Sequence, residues 1–124
     1  MQSEKKEPGL LPEADQVVRR TQDLTAFIKE TEDYRRYKKS LKVLKEHQET
    51  YQKFNEFRRK NLYLDEQEEA YFEKADALYD EYKDILMESC VMDFLRSEET
   101  VNTMLRRVYD CLAGEIQIDV SYMD

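Results

Sequence analysis

Residues 13–113 read EADQVVRRTQDLTAFIKETEDYRRYKKSLKVLKEHQETYQKFNEFRRKNLYLDEQEEAYFEKADALYDEYKDILMESCVMDFLRSEETVNTMLRRVYDCLA, without one glycine or proline. Pro8, Gly9 and Pro12 come before this stretch and Gly114 directly after it. These two residue types punctuate turns, bulges and tight loops. A chain that lacks them through its whole middle is left with long helices and short polar connections. The sequence therefore predicts an all-α fold, an antiparallel bundle or array of four to five helices. The same feature argues against most active sites, which sit on loops held by a rigid scaffold.

Outward from that stretch, residues 1–12 read as a flexible tail, 13–114 as the helical domain and 115–124 as a C-terminal tail. Pro12, Glu13 and Asp15 suit a first turn, and Val17, Leu24, Phe27 and Ile28 carry a helix to about Lys29. Thr31 reads as the N-cap of the next helix, with Glu32 and Asp33 in its first turn. Tyr34, Tyr37, Leu41 and Leu44 form its seam. After the polar patch Glu46–Glu49, Tyr51, Phe54 and Phe57 continue the stripe, which leaves either a short break or one helix to about Leu62. Asp65 with Glu68 has the spacing of a capping box. The next stripe runs from Tyr71 through Leu78, Tyr79 and Tyr82 to Leu86. A break is expected near Glu88-Ser89, then a last helix from Val91 to Leu112. Gly114 reads as its C′ residue. Ile116, Ile118, Val120 and Tyr122 alternate in the tail, which is expected to pack on the bundle or on a partner.

The chain has 124 residues, 39% of them charged and 40% hydrophobic. Helices with narrow apolar stripes and wide solvated faces satisfy both figures, and such helices often complete their core with a second chain. A dimer or tetramer is the expected state. No apolar run approaches the roughly 20 residues that span a bilayer, and the N-terminus lacks an apolar signal core. The protein reads as cytoplasmic and without a membrane partner. Cys90 and Cys111 lie far apart in sequence and read as two buried or half-buried thiols without a disulfide. Charge is segregated. Residues 29–60 hold 11 Lys and Arg against 6 Asp and Glu, a net of +5, and residues 61–124 hold 5 against 17, a net of −12. These blocks suit each other as neighbours, within one chain or between chains.

Chemistry finds little footing. His47 is the single histidine, so neither a zinc site nor a local nucleophile–base pair with Ser40, Ser89, Cys90 or Cys111 is signalled. There is no Glu-x-x-His pair for a di-metal bundle, and Asp76, Asp80 and Asp84 read as an exposed face. A glycine-rich phosphate loop is impossible. The prediction is a protein that is not an enzyme, with no cofactor, no metal and no catalytic residue. Its mechanism is binding. Tyr34, Tyr37, Leu41, Phe54, Phe57, Tyr79 and Tyr82 are the candidate apolar anchors, and Arg35, Arg36, Lys38 and Lys39 the electrostatic face. The alternative is direct RNA binding by the basic block 29–60, with exposed tyrosines stacking on bases.

Three segments in order resemble the YlbF/YmcA (Com_YlbF) family of small bacterial regulators. Thr31-Glu32-Asp33-Tyr34-Arg35-Arg36-Tyr37-Lys38-Lys39 resembles the Ser/Thr-Glu-x-Tyr-x-x-Tyr stretch that opens the family's second helix. Tyr51-Gln52-Lys53-Phe54-Asn55-Glu56-Phe57 is similar to its apolar-x-x-Phe segment. Val91-Met92-Asp93-Phe94-Leu95, with Val101, Leu105, Val108, Leu112 and Asp119, is similar to its last helix and terminal Asp. Where the family commonly has Asp-Pro, this chain has His47-Gln48, which fits a helix running straight through. The resemblance implies an all-helical fold and a regulatory, protein-binding role. The family's best-known members work with endoribonuclease Y in RNA processing and influence competence, sporulation and biofilm formation. Fellow regulators or a ribonuclease complex are thus the implied partners. Some members carry cysteines linked to an iron–sulfur cluster; with no cysteine-rich tail here, no cluster is carried over.

Overall fold

The computed structural model describes residues 12–123. These form α1 (Pro12–Lys29), α2 (Glu32–Glu46), α3 (Gln48–Leu62), α4 (Tyr71–Glu81), α5 (Lys83–Leu86) and α6 (Ser89–Glu115), then one 3-10 turn, Ser121–Met123. No strand occurs among the described residues, and the fold is all-α as predicted. Apart from Pro12, which opens α1, the predicted N-terminal tail lies outside the described residues.

The junctions show why the rods end where they do. Thr31 caps α2 as its sequence position suggests: its hydroxyl accepts from the Tyr34 N–H at 3.2 Å. His47 breaks the chain between α2 and α3 with φ −94° and ψ 75°. Of the two continuations open at Glu46–Glu49, the broken one is adopted, and the chain does not run straight through His47-Gln48. The bend lets Leu44 before it and Phe54 after it reach one core, both fully buried. Glu88, extended at φ −68° and ψ 139°, opens α6 at the predicted place.

Three expectations are corrected. Asp65 does not cap a helix. Its carboxylate accepts from the Gln67 N–H at 2.9 Å, a local turn that competes with capping, and α4 starts only at Tyr71. The Glu68 carboxylate pairs with the Lys74 ammonium instead of reaching back. The stripe from Tyr71 to Leu86 is two helices, because Tyr82 leaves helical geometry at φ −108° and ψ 14°. Its buried ring packs on Phe57, centroids 5.7 Å apart. Gly114 is not a C′ residue. It lies inside α6, whose C-cap Ile116 is extended at φ −115° and ψ 110° and needs no left-handed glycine.

The core is Leu44, Phe54, Leu78, Tyr82, Leu86, Val91 and Phe94, with Tyr37, Leu41, Tyr51 and Phe57 packed against it. Phe54 and Phe94 meet edge to face at 5.9 Å. The Arg58 guanidinium closes the core from outside, 4.6 Å from the Phe54 ring centroid and 5.4 Å from that of Phe94. It also bonds to Asn55 at 3.0 Å and Glu98 at 3.3 Å. α6 runs antiparallel along α2: Asp33 shares a cleft with Thr100 and Thr103, and Val43 shares one with Cys90. At the crossing, the Ser40 and Ser97 hydroxyls lie 2.5 Å apart, with Ser97 buried.

Candidate interaction surfaces

α2 has two faces. Leu44 points into the core, with Tyr37 and Leu41 half-buried beside it, and this fixes the opposite side as a row of Arg35, Lys38, Lys39, Lys42 and Lys45, all exposed. Arg36 lies 3.7 Å from Glu32 and 4.0 Å from Asp33 of its own helix. The other five stand in no ion pair among the described residues. The acidic half of the chain is spread elsewhere. Among the described residues its ion pairs with the basic block are at α3, where Arg58 meets Glu98 and Lys60 meets Glu81, each at 3.3 Å. A cleft of about 470 Å³ between α2 and α6 adds Arg96 to Arg36 and Lys39, with the Ser40–Ser97 pair and Asp93 on its wall.

The predicted anchor residues divide. Phe54 and Tyr82 are buried in the chain's own core, so neither is reachable by a partner. Tyr34, Tyr37, Leu41 and Phe57 are half-buried. The Tyr34 and Tyr37 rings lie 6.0 Å apart, and Tyr37 lies 5.7 Å from Phe94. Only Tyr79 is exposed, its ring edge-on to Phe57 at 6.3 Å. The predicted anchors include no residue of a further open apolar surface. That surface lies on α1 and the distal half of α6, where Val17, Phe27, Leu105, Tyr109 and Leu112 face solvent. The tail residues Ile116, Ile118, Val120 and Tyr122 do not pack on the bundle either. Their stripes were visible, but spacing does not tell which stripe finds a neighbour in its own chain.

Burial pushes the Cys90 thiol up, and the nearby Glu88 carboxylate adds to this. Cys90 is half-buried as expected, but Cys111 is exposed because it stands on the distal part of α6 that finds little cover in its own chain; both thiols are free. A hydrogen bond from the Ser121 N–H at 2.9 Å holds Asp119 below its ordinary range and ties down the last turn. His47 is exposed, with Nδ1 3.0 Å from the Val43 carbonyl oxygen. Among the described residues no group of three His, Cys, Asp or Glu is arranged to hold a metal ion. No described helix is long and apolar enough to cross a membrane.

The chain is an all-α bundle with a single aromatic core and wide charged faces. A family model described as control of competence regulator ComK, YlbF/YmcA, matches residues 17–117. The chain belongs to that family, as the resemblance of its three segments implied. No curated protein and no solved structure matches it.

Proposed function

We propose that this chain is a cytoplasmic regulatory adaptor that acts by binding other proteins and performs no chemistry of its own. The observation that carries the proposal is the uncompensated row of cations on α2. Arg35–Lys38, Arg35–Lys39, Lys38–Lys42, Lys39–Lys42 and Lys42–Lys45 are like-charge pairs at three- or four-residue spacing. Each such pair destabilises a helix by about 0.2–0.5 kcal/mol, so the row costs α2 roughly 1–2.5 kcal/mol. Of the acids on α2, Glu32 and Asp33 face Arg36, and Glu46, which shares a groove with Lys38, Lys39, Lys42 and Lys45, pairs with none of them among the described residues, so this face stays open. An acidic protein surface that covered it would remove the repulsion and set its own orientation by charge. By family resemblance the partners are fellow regulators and an endoribonuclease Y complex. Self-association into a dimer or tetramer is part of the same reading.

RNA is the competing ligand for these cations. Its support is the same row, since phosphates need only positive charge. Against it, Tyr34 and Tyr37 pack against each other in a tilted contact and Tyr37 against Phe94, half-buried, which leaves them poor platforms for bases. The deciding experiment titrates the purified chain with the host's endoribonuclease Y, with fellow family proteins, and with single-stranded RNA at low salt. The triple variant Lys38→Glu/Lys39→Glu/Lys42→Glu is run beside it. Loss of at least about tenfold in protein affinity, at unchanged helicity and with no RNA shift, supports the adaptor. RNA binding that the variant abolishes would replace it, and protein binding indifferent to the variant would refute the role of α2.

A further inference from the structure

The cleft between α2 and α6 gathers polar groups that the core does not need. Arg36, Lys39 and Ser40 line it from α2, and Asp93, Arg96 and Ser97 from α6. Its volume of about 470 Å³ falls within the range of sites that enclose small molecules, about 300–1,000 Å³. Three cations against one carboxylate give it a net charge of +2, in a chain of −8. Lys39 and Arg96 stand in no ion pair among the described residues. Arg36 lies 3.7 Å from Glu32 and 4.0 Å from Asp33, with its own side chain 63% exposed, and such contacts hold a guanidinium only weakly. Arg36 and Lys39 also repel each other at three-residue spacing on one helix.

The hydroxyls are the second observation. Ser97 is 5% exposed and Ser40 half-buried, and they hold two protons between them. Three contacts compete for those protons. Ser40 Oγ lies 3.0 Å from the Tyr37 carbonyl oxygen, Ser97 Oγ 2.9 Å from that of Phe94, and the two Oγ atoms 2.5 Å from each other. If both hydroxyls donate to the carbonyls, two oxygens face each other with no proton between them. Both carbonyls stand inside helices, where they also accept from a backbone N–H, so losing a hydroxyl costs them little. With Ser97 donating to Ser40, the Ser40 O–H turns free to donate into the cleft. That arrangement puts a proton in the shortest contact and aims the other at an acceptor.

We propose that this cleft binds a small phosphate monoester whose organic part carries hydroxyl groups. A phosphate monoester brings a charge of about −1.5 to −2 and three strong acceptor oxygens. That matches the +2 of the cleft, whereas a single carboxylate leaves half of it unbalanced. Two guanidinium forks, Arg36 on one helix and Arg96 on the other, grip the phosphate oxygens from two sides, and the Lys39 ammonium and the Ser40 O–H add donors. Asp93 assigns the other end. Its carboxylate repels phosphate but accepts from hydroxyls, so the organic part lies toward it. Val43 and Cys90 give that part an apolar wall.

Calorimetric titration of the full chain at low salt with ribose 5-phosphate, glucose 6-phosphate, ribose and inorganic phosphate tests the proposal. At least one ester is expected to bind with Kd below about 1 mM, inorganic phosphate at least about tenfold more weakly, and ribose not measurably. Arg96→Gln should weaken the ester at least about tenfold at unchanged helicity, because Arg96 is exposed and outside the core. Lys42→Gln, on the basic row but outside the cleft, should leave it unchanged. A second arm reads the place of binding. The bound ester should slow alkylation of Cys90, which lines this cleft, and not that of Cys111, which lines another. Failure of both esters to bind at about 10 mM would overturn the proposal. So would equal losses from Arg96→Gln and Lys42→Gln, inorganic phosphate bound as tightly as the ester, or Cys90 alkylated at an undiminished rate. A phosphopeptide or an RNA that protects Cys90 where neither ester does would overturn it too. Arg96 belongs to α6 and not to the row on α2, so this site and the adaptor reading fail independently.

Discussion

Phe94→Ala and Phe27→Ala are the same chemical change at two sites that the fold treats oppositely. Phe94 is 1% exposed, meets Phe54 edge to face at 5.9 Å and Tyr37 at 5.7 Å, and lies under Arg58. Truncating a buried Phe costs about 3–5 kcal/mol, from lost transfer energy and the cavity left behind. Two ring contacts of about 0.5–1.5 kcal/mol each place this case in the upper part of that range, at about 4–5 kcal/mol. With unfolding entropy near 2.1 cal/mol/K per residue, a 124-residue chain loses about 15–20 °C in Tm. Phe27 is 68% exposed, and within one chain its truncation removes little burial, under about 0.5 kcal/mol. Urea unfolding followed by circular dichroism over a range of protein concentration separates the two. Phe94→Ala should cost the same at every concentration. The cost of Phe27→Ala should be small when dilute and grow as copies associate. A Phe94→Ala loss under about 1 kcal/mol, or a Phe27→Ala loss as large as that of Phe94→Ala when dilute, would refute the assignment of the core to α2–α6.

Other changes probe single features. Gly114→Ala should stabilise the chain by about 0.5 kcal/mol, because Gly114 is helical and a Cβ there meets nothing within 4 Å; a comparable loss in thermal unfolding would restore the left-handed C′ reading. Ser97→Ala should cost about 1 kcal/mol by stripping Ser40 of a buried partner, and Ser40→Ala/Ser97→Ala should cost less than the sum of the singles in a double-mutant cycle. Iodoacetamide at mildly alkaline pH should label exposed Cys111 well before Cys90, whose raised pKa leaves less thiolate; mass spectrometry of the timed products checks the order. Asp119 has a lowered pKa, so its hold on the last turn is present above its unfolded value and lost as pH falls through the folded one. The Tyr122 NMR signals should therefore become those of a free chain only below about pH 4.

The physics of individual residues explains what could be read before the fold was seen. Thr31 and Glu88 mark helix starts because a cap or an extended residue there interrupts two strong stripes. Leu44, Phe54 and Phe94 stand on those stripes and form the core. His47 was undecided because the apolar stripe runs on both sides of it, and only the convergence of Leu44 and Phe54 on one core selects the bend. The break at Tyr82 carries no local signal, since it comes from burying that ring against Phe57. Asp65 has the spacing of a cap and also the chemistry of a tight turn, and the turn wins. The candidate surface was half legible. The cations of α2 follow from the opposite face being apolar, whereas Phe54 and Tyr82 were read as anchors because a stripe does not say whether its neighbour lies in the same chain. The same ambiguity hid α1 and distal α6.

The account turns on a division within the chain: α2–α6 bury a core of their own, α1 buries none of its residues, and the proposed self-association would cover it. Hydrogen–deuterium exchange of the α1 amides, measured against protein concentration, tests this most directly. The account predicts fast exchange from Pro12 to Lys29 in dilute protein, protection that rises with concentration, and constant protection around Leu44, Phe54 and Phe94. Protection of α1 that is high and independent of concentration would contradict it.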